Sequence, residues 1–126
     1  MYLLDSNVVV HYLSNALPRK SIAFINQFID DSCYISVITQ METLGYNFKT
    51  QIDKNPTEIF IENTIVFDIN IEVVRKTIAI RKSRKIDLPD AIIAATAIVN
   101  DYILITHNTK DFENIQNIKI LNSFDL

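Results

Sequence analysis

Apolar residues along this chain recur with two rhythms that take turns. Short apolar runs bounded by polar or turn-forming residues read as strands: Tyr2 to Leu4, Tyr34 to Ser36, Ile65 to Phe67, Ile103 to Ile105 and Ile118 to Leu121. Between them the spacing lengthens to the helical repeat. Asn7 to about Asn15 carries Val8, Val9, Tyr12 and Leu13, and Pro18 opens a second helix with Ile22, Ile25, Phe28 and Ile29. A helix over 37–50 places Val37, Met41, Leu44 and Phe48 on its inward stripe, with Glu42 at the edge of that face. After Pro56 a short helix covers Glu58 to Asn63. Asn70 caps a longer one with Ile71, Val74 and Ile78 inward and a basic run at its far end. Pro89 starts a helix whose Ala91, Ala94, Ala95 and Ala97 leave a smooth surface for close packing, and Thr106 to Lys110 reads as a loop. Strand and helix in alternation predict an α/β fold, a central mostly parallel sheet flanked by helices.

Length and composition narrow the function classes. The 126 residues, 48% of them apolar, suit one domain over 1–126 with a single core. One cysteine, Cys33, permits no internal disulfide, and two scattered histidines complete no zinc-ligand spacing, so a reducing cytoplasm is the expected home. Cys33 reads as a small buried apolar residue. The apolar N-terminus lacks a basic region and is interrupted by Asp5, unlike a signal peptide. The longest apolar run, Ala91 to Val99, falls far short of the roughly 20 residues that cross a bilayer, so no membrane is expected. With Gly45 as the sole glycine, no Walker A loop, dinucleotide fingerprint or GxSxG elbow can be written. Net charge is −3, yet Arg75, Lys76, Arg81, Lys82, Arg84 and Lys85 fall within eleven residues. Such a run is ordinarily a solvated helix face; beside an acidic cleft it is also a path for a phosphate backbone.

Four acids stand where an open parallel sheet places its sites, beyond the carboxyl ends of the strands. Asp5 closes the first strand, Asp111 follows the strand ending at Ile105, Asp90 lies in the first turn of the alanine-rich helix, and Glu42 rides the helix after Ser36. Each alone has an ordinary explanation: a helix-dipole acid, a cap, an Asx turn, a solvated charge. Together they are expected to converge in an acidic cleft. Two carboxylates about 6 Å apart repel by roughly 3 kcal/mol at an effective dielectric near 20, so such a group takes up protons or holds cations. Carboxylate oxygens are hard ligands, and Mg²⁺ or Mn²⁺ is the expected ion, suited to in-line attack on phosphorus.

The segments Asp5-Ser6-Asn7, Ile35-Ser36-Val37-Ile38-Thr39 leading to Glu42, Leu88-Pro89-Asp90-Ala91-Ile92-Ile93-Ala94-Ala95-Thr96-Ala97, and Ile105-Thr106-His107-Asn108 through Asp111-Phe112 resemble the four signature segments of PIN-domain ribonucleases. They are especially similar to the VapC toxins of toxin-antitoxin pairs. The Asp90 and Thr106 to Phe112 segments are the specific ones; those of Asp5 and Glu42 are weak alone. The resemblance implies a PIN-like fold in which Asp5, Glu42, Asp90 and Asp111 are catalytic and hold Mg²⁺ or Mn²⁺. Ser6, Asn7, Thr106 and Asn108 then orient those carboxylates. It further implies hydrolysis of tRNA or ribosomal RNA to a 3'-hydroxyl and a 5'-phosphate, silencing by a cognate antitoxin protein, and a homodimer. In that setting Arg81, Lys82, Arg84 and Lys85 are expected to bind RNA.

Three departures from the family pattern stand out. Ser6 replaces a commoner Thr and keeps the hydroxyl, His107 replaces a frequent Arg, and Asp101-Tyr102 fills a turn where Gly is frequent, so that turn is expected to differ. Asp87 competes with Asp90, but the Pro-Asp-Ala pattern favours Asp90. His11 reads as a packing residue, and His107 as a loop residue near the cleft with phosphate contact as its functional alternative. A haloacid-dehalogenase phosphatase needs an acid at Asn7, and a receiver domain needs an acidic pair at its first strand; neither is present. A catalytically silent PIN-like module binding RNA or protein is the remaining alternative.

Overall fold

The computed structural model describes residues 1–126. Its elements run β1 (Tyr2–Leu4), α1 (Ser6–Leu13), α2 (Arg19–Asn26), β2 (Tyr34–Ser36), α3 (Val37–Leu44), α4 (Gln51–Glu62), β3 (Ile65–Phe67), α5 (Ile71–Ser83), α6 (Leu88–Val99), β4 (Ile103–Thr106), α7 (Thr109–Phe112) and β5 (Ile120–Asn122). The five strands form one sheet, ordered β3-β2-β1-β4-β5, and every pairing is parallel. Parallel strands require crossovers, and the helices between them cover both faces and bury two apolar clusters. One holds Leu3, Leu104, Phe112 and the Ala91 to Ala97 stretch of α6; the other holds Leu4, Val8, Ile25, Cys33, Ile35 and Ile105. No helix is long and apolar enough to cross a membrane.

The expected strands are present, the last shifted to Ile120–Asn122 from the expected start at Ile118, and so is the smooth alanine face of α6. Ala91, Ala94, Ala95 and Ala97 are fully buried, and α6 packs most extensively on α5. The expected loop from Thr106 to Lys110 is shorter, since Thr106 ends β4 and α7 begins at Thr109. Four helix expectations need correction. The second helix ends at Asn26, so Phe28 and Ile29 lie in the turns that follow it. The helix over 37–50 ends at Leu44 with Gly45 as its C-cap, a position where a Cβ would meet the Met41 carbonyl oxygen at 2.5 Å and only glycine fits. Its buried residues are Ile38, Thr39 and Thr43, whereas Met41 is exposed. Pro56 lies inside α4 rather than before it, since the Thr50 hydroxyl accepts the Asp53 N–H and starts the helix earlier.

Asn70 does cap α5, accepting the Val73 N–H, but the inward face is Val73, Thr77 and Ile80. Ile71, Val74 and Ile78 face outward. Thr77 can be buried because its hydroxyl donates to the Val73 carbonyl at 2.7 Å, leaving its methyl to pack. Asp101, in the turn before β4, takes φ 56°, a left-handed conformation that glycine adopts without strain and aspartate tolerates. The Lys119 ammonium, 2.8 Å away, holds that carboxyl below the usual aspartate range.

Candidate active site

Where β1 ends, Asp5 also caps α1, and this double duty fixes the site. Its Oδ1 accepts the Ser6 N–H at 2.8 Å; its Oδ2 accepts the Thr106 hydroxyl at 2.8 Å and the Asn7 side-chain amide at 3.3 Å. Thr106, at the end of the adjacent β4, is fully buried, and its Oγ1 also accepts the Asn108 N–H at 3.0 Å. Asn7 Oδ1 in turn accepts the His107 N–H at 3.2 Å. The start of α1 and the β4–α7 loop are thus tied together through the Asp5 carboxylate. Ser36 repeats the arrangement on β2, capping α3 by accepting the Ile38 N–H.

Glu42 projects from α3 toward α1 and accepts the Ser6 hydroxyl at 2.6 Å. Ser6 Oγ also lies 3.0 Å from Thr39 Oγ1. One hydroxyl proton cannot serve both; the charged Glu42 is the stronger acceptor, so Thr39 donates to Ser6. Thr39 is a residue that reading the sequence missed, because its role depends on α3 packing against α1.

Asp90, in the first turn of α6, and Asp111, on α7, border a cleft of about 190 Å³ with Arg84, Lys85, Asp87 and Lys110. Burial pushes the Asp90 carboxyl up to about 6, aided by the charges of Asp5, Asp111, Glu42 and Asp87. Burial likewise raises Asp5, outweighing its bonds from Thr106, Ser6 and Asn7, with the Glu42 charge adding to the rise. The four acids chosen from the sequence therefore sense one another at one edge of the sheet. They do not close into a ready-made shell: no three acidic, histidine or cysteine side chains are grouped as ligands. The donor chemistry still fits a hard divalent cation, with the buried carboxyls of Asp5 and Asp90 held above the usual aspartate range and Asp5 already oriented by three donors.

The basic run divides. Lys82 and Lys85 are exposed, and Arg81 is exposed while its Nε donates to the Ile86 carbonyl. Arg84 is half-buried and donates to the Glu113 carbonyl at 2.6 Å, so it clasps the segment after α7. Lys110, beside Asp111, brings a cation into the cleft that the sequence reading passed over.

A family model described as PIN domain matches residues 2–118. The chain belongs to the PIN-domain family. This PIN domain is similar to the toxin-antitoxin complex from Klebsiella pneumoniae, with 28% identity over all of both chains and a TM-score of 0.77. It is similar to DNA-bound VapBC from Salmonella typhimurium, at 25% identity, 97% of each chain and a TM-score of 0.84. FitAcB from Neisseria gonorrhoeae aligns at 25% identity over all of both chains, with a TM-score of 0.79. No curated protein matches the PIN domain by sequence.

Proposed function

We propose that this PIN domain is a Mg²⁺- or Mn²⁺-dependent endoribonuclease and the toxin of a toxin-antitoxin pair. One observation carries the reading: Asp90 and Asp111 share a cleft at the sheet edge where Asp5 and Glu42 also stand, and burial, aided by the charges of these neighbours, holds the Asp90 carboxyl up near about 6. A structural protein gains nothing from such a grouping, whereas a divalent cation turns it into binding energy. Asp5, Asp90 and Asp111 would hold the ion, and Glu42, fixed by Ser6, would complete the set. When bound, the ion supplies Lewis acidity that favours attack by water on the scissile phosphorus. Thr106, Asn7 and the Ser6 amide keep the Asp5 oxygens aimed while charge changes at the phosphate. Lys85 and Lys110, on the rim of the cleft, would meet the RNA backbone, with Arg81 and Lys82 further along α5.

The VapBC and toxin-antitoxin relatives support an antitoxin partner. So does an apolar groove of about 410 Å³ lined by Val9, Val10, Leu13, Tyr46 and Phe48, which reaches Glu42. The outward Ile71, Val74 and Ile78 of α5 support a homodimer, and a free buried Cys33 supports a reducing cytoplasm. The test is RNA cleavage with Mg²⁺ or Mn²⁺ by wild type, Asp5→Asn and Asp90→Asn, with calorimetric titration of Mn²⁺. Loss of cleavage in both folded variants and Mn²⁺ uptake by wild type are expected. A folded wild type that binds Mn²⁺ yet cuts neither tRNA nor ribosomal RNA would instead be a silent PIN-like module.

A further inference from the structure

Just past Thr106, whose hydroxyl holds Asp5, three rings meet. His107 and Phe124 lie with centroids 4.4 Å apart, tilted by 38°, and His11 stands edge-on to both, at 5.5 Å from His107 and 5.6 Å from Phe124. His107 is exposed and Phe124 is 37% exposed, so the pair presents aromatic surface to solvent rather than completing the core. Both are held by backbone bonds that lead back to the site. The His107 N–H donates to Asn7 Oδ1, the Ser123 N–H to the Thr106 carbonyl at 3.0 Å, and the Phe124 N–H to Asn122 Oδ1 at 3.0 Å. His11 follows Asn7 by four residues and so stands one turn up the same face of α1.

His11 is a poor choice for packing alone. Its Nδ1 is buried without a hydrogen-bond partner, a cost that Phe or Leu would avoid while filling the same space. A pre-positioned, solvent-facing group of rings tied through Asn7 and Thr106 to Asp5 matches the flat faces of unpaired bases, which stack on aromatic side chains. We propose that His107 and Phe124, buttressed by His11, form a subsite that stacks one nucleobase of single-stranded RNA beside the scissile phosphate. The subsite rests on the nuclease reading above. It sets which base flanks the cut and assigns His107 a role in holding a base in place of the phosphate contact an arginine would make.

Short single-stranded RNAs carrying 2-aminopurine at each position in turn, bound to the Asp90→Asn protein with Mg²⁺, read stacking directly as fluorescence quenching. Quenching is expected at one position, and Phe124→Ala or His107→Ala in that background should abolish it and weaken affinity by about 5- to 20-fold, toward the lower end of what stacking contributes per base. Phe124→Trp should restore quenching, which a loss of folding could not do. In the otherwise wild-type enzyme the same alanine variants should raise KM with kcat retained and flatten base preference at one flank of the cut. Wild type that cleaves RNA while both alanine variants keep its KM, quenching pattern and base preference would overturn the subsite alone. Wild type that neither cleaves nor binds single-stranded RNA would overturn the nuclease reading, and the subsite with it.

Discussion

Asp90→Asn should make the metal-free protein more stable at neutral pH, the reverse of most substitutions at a half-buried position. An ordinary aspartyl carboxyl titrates near 3.8, and that of Asp90 is pushed up to about 6. At about 1.4 kcal/mol per tenfold change in proton affinity, the difference corresponds to about 3 kcal/mol of destabilisation once the group is ionised. Solvent screening of this half-buried group reduces that figure, and losing a negative charge from the first turn of α6 removes a further ~0.3–1 kcal/mol. A net gain of about 1–2 kcal/mol remains. The sign follows from linkage: between the unfolded and folded pKa values the folded state binds the extra proton, so wild-type stability falls as pH rises from about 4 to about 6 and stays low above. Asparagine cannot ionise and escapes that fall. Urea melts in chelator should show the variant ahead by about 1–2 kcal/mol at pH 7.5, or about 4–8 °C in Tm for a chain of this length. At pH 4 the advantage should vanish. A variant equally or less stable at pH 7.5 would refute the reading that burial and the neighbouring acids disfavour the Asp90 carboxylate until a cation binds.

Further outcomes follow from other contacts. Mn²⁺ should raise the Tm of wild type and leave that of Asp90→Asn nearly unmoved, read by calorimetry or dye-monitored melting. Thr106→Val removes the hydroxyl that serves both Asp5 and Asn108; it should lower stability by about 1.5–3 kcal/mol at pH 7 and weaken Mn²⁺ affinity about 10–100-fold in titration calorimetry. Lys82→Glu and Lys85→Glu should each lessen the salt dependence of RNA binding by about one ion. Arg84→Gln should instead loosen the segment after α7, seen as faster amide exchange around Glu113, because its guanidinium holds that carbonyl. Cys33, 2% exposed and with its thiol pushed up to about 12 by burial, should resist iodoacetamide until the protein unfolds.

The strands were legible because each is a short apolar run ended by a polar residue. The acids were legible because Asp5 and Ser36 both close a strand and cap the next helix, which locates the sheet edge in the sequence itself. The inward face of α5 was not. Its two stripes compete, and Ile71, Val74 and Ile78 are more apolar than the buried Val73, Thr77 and Ile80; only packing against α6, with Thr77 satisfied by its own helix, decides between them. Pro56 suggested a helix start because proline favours the first turn, but the Thr50 cap lies six residues earlier and governs. Thr39, the Arg84 clasp and the contact of His107 with Phe124 join residues far apart in the chain, and no local pattern announces them.

The strand bearing Asp5 is made early yet sits mid-sheet between β2 and β4, and its carboxylate waits on a hydroxyl 101 residues further along. During translation the N-terminal part of the sheet can assemble on β2 and β3 while Thr106 and Asp111 are still unsynthesised. A ribosome-bound intermediate therefore has an incomplete acidic edge: Asp5 lacks its Thr106 donor and Asp111 is missing until nearly all of β4 and α7 has emerged.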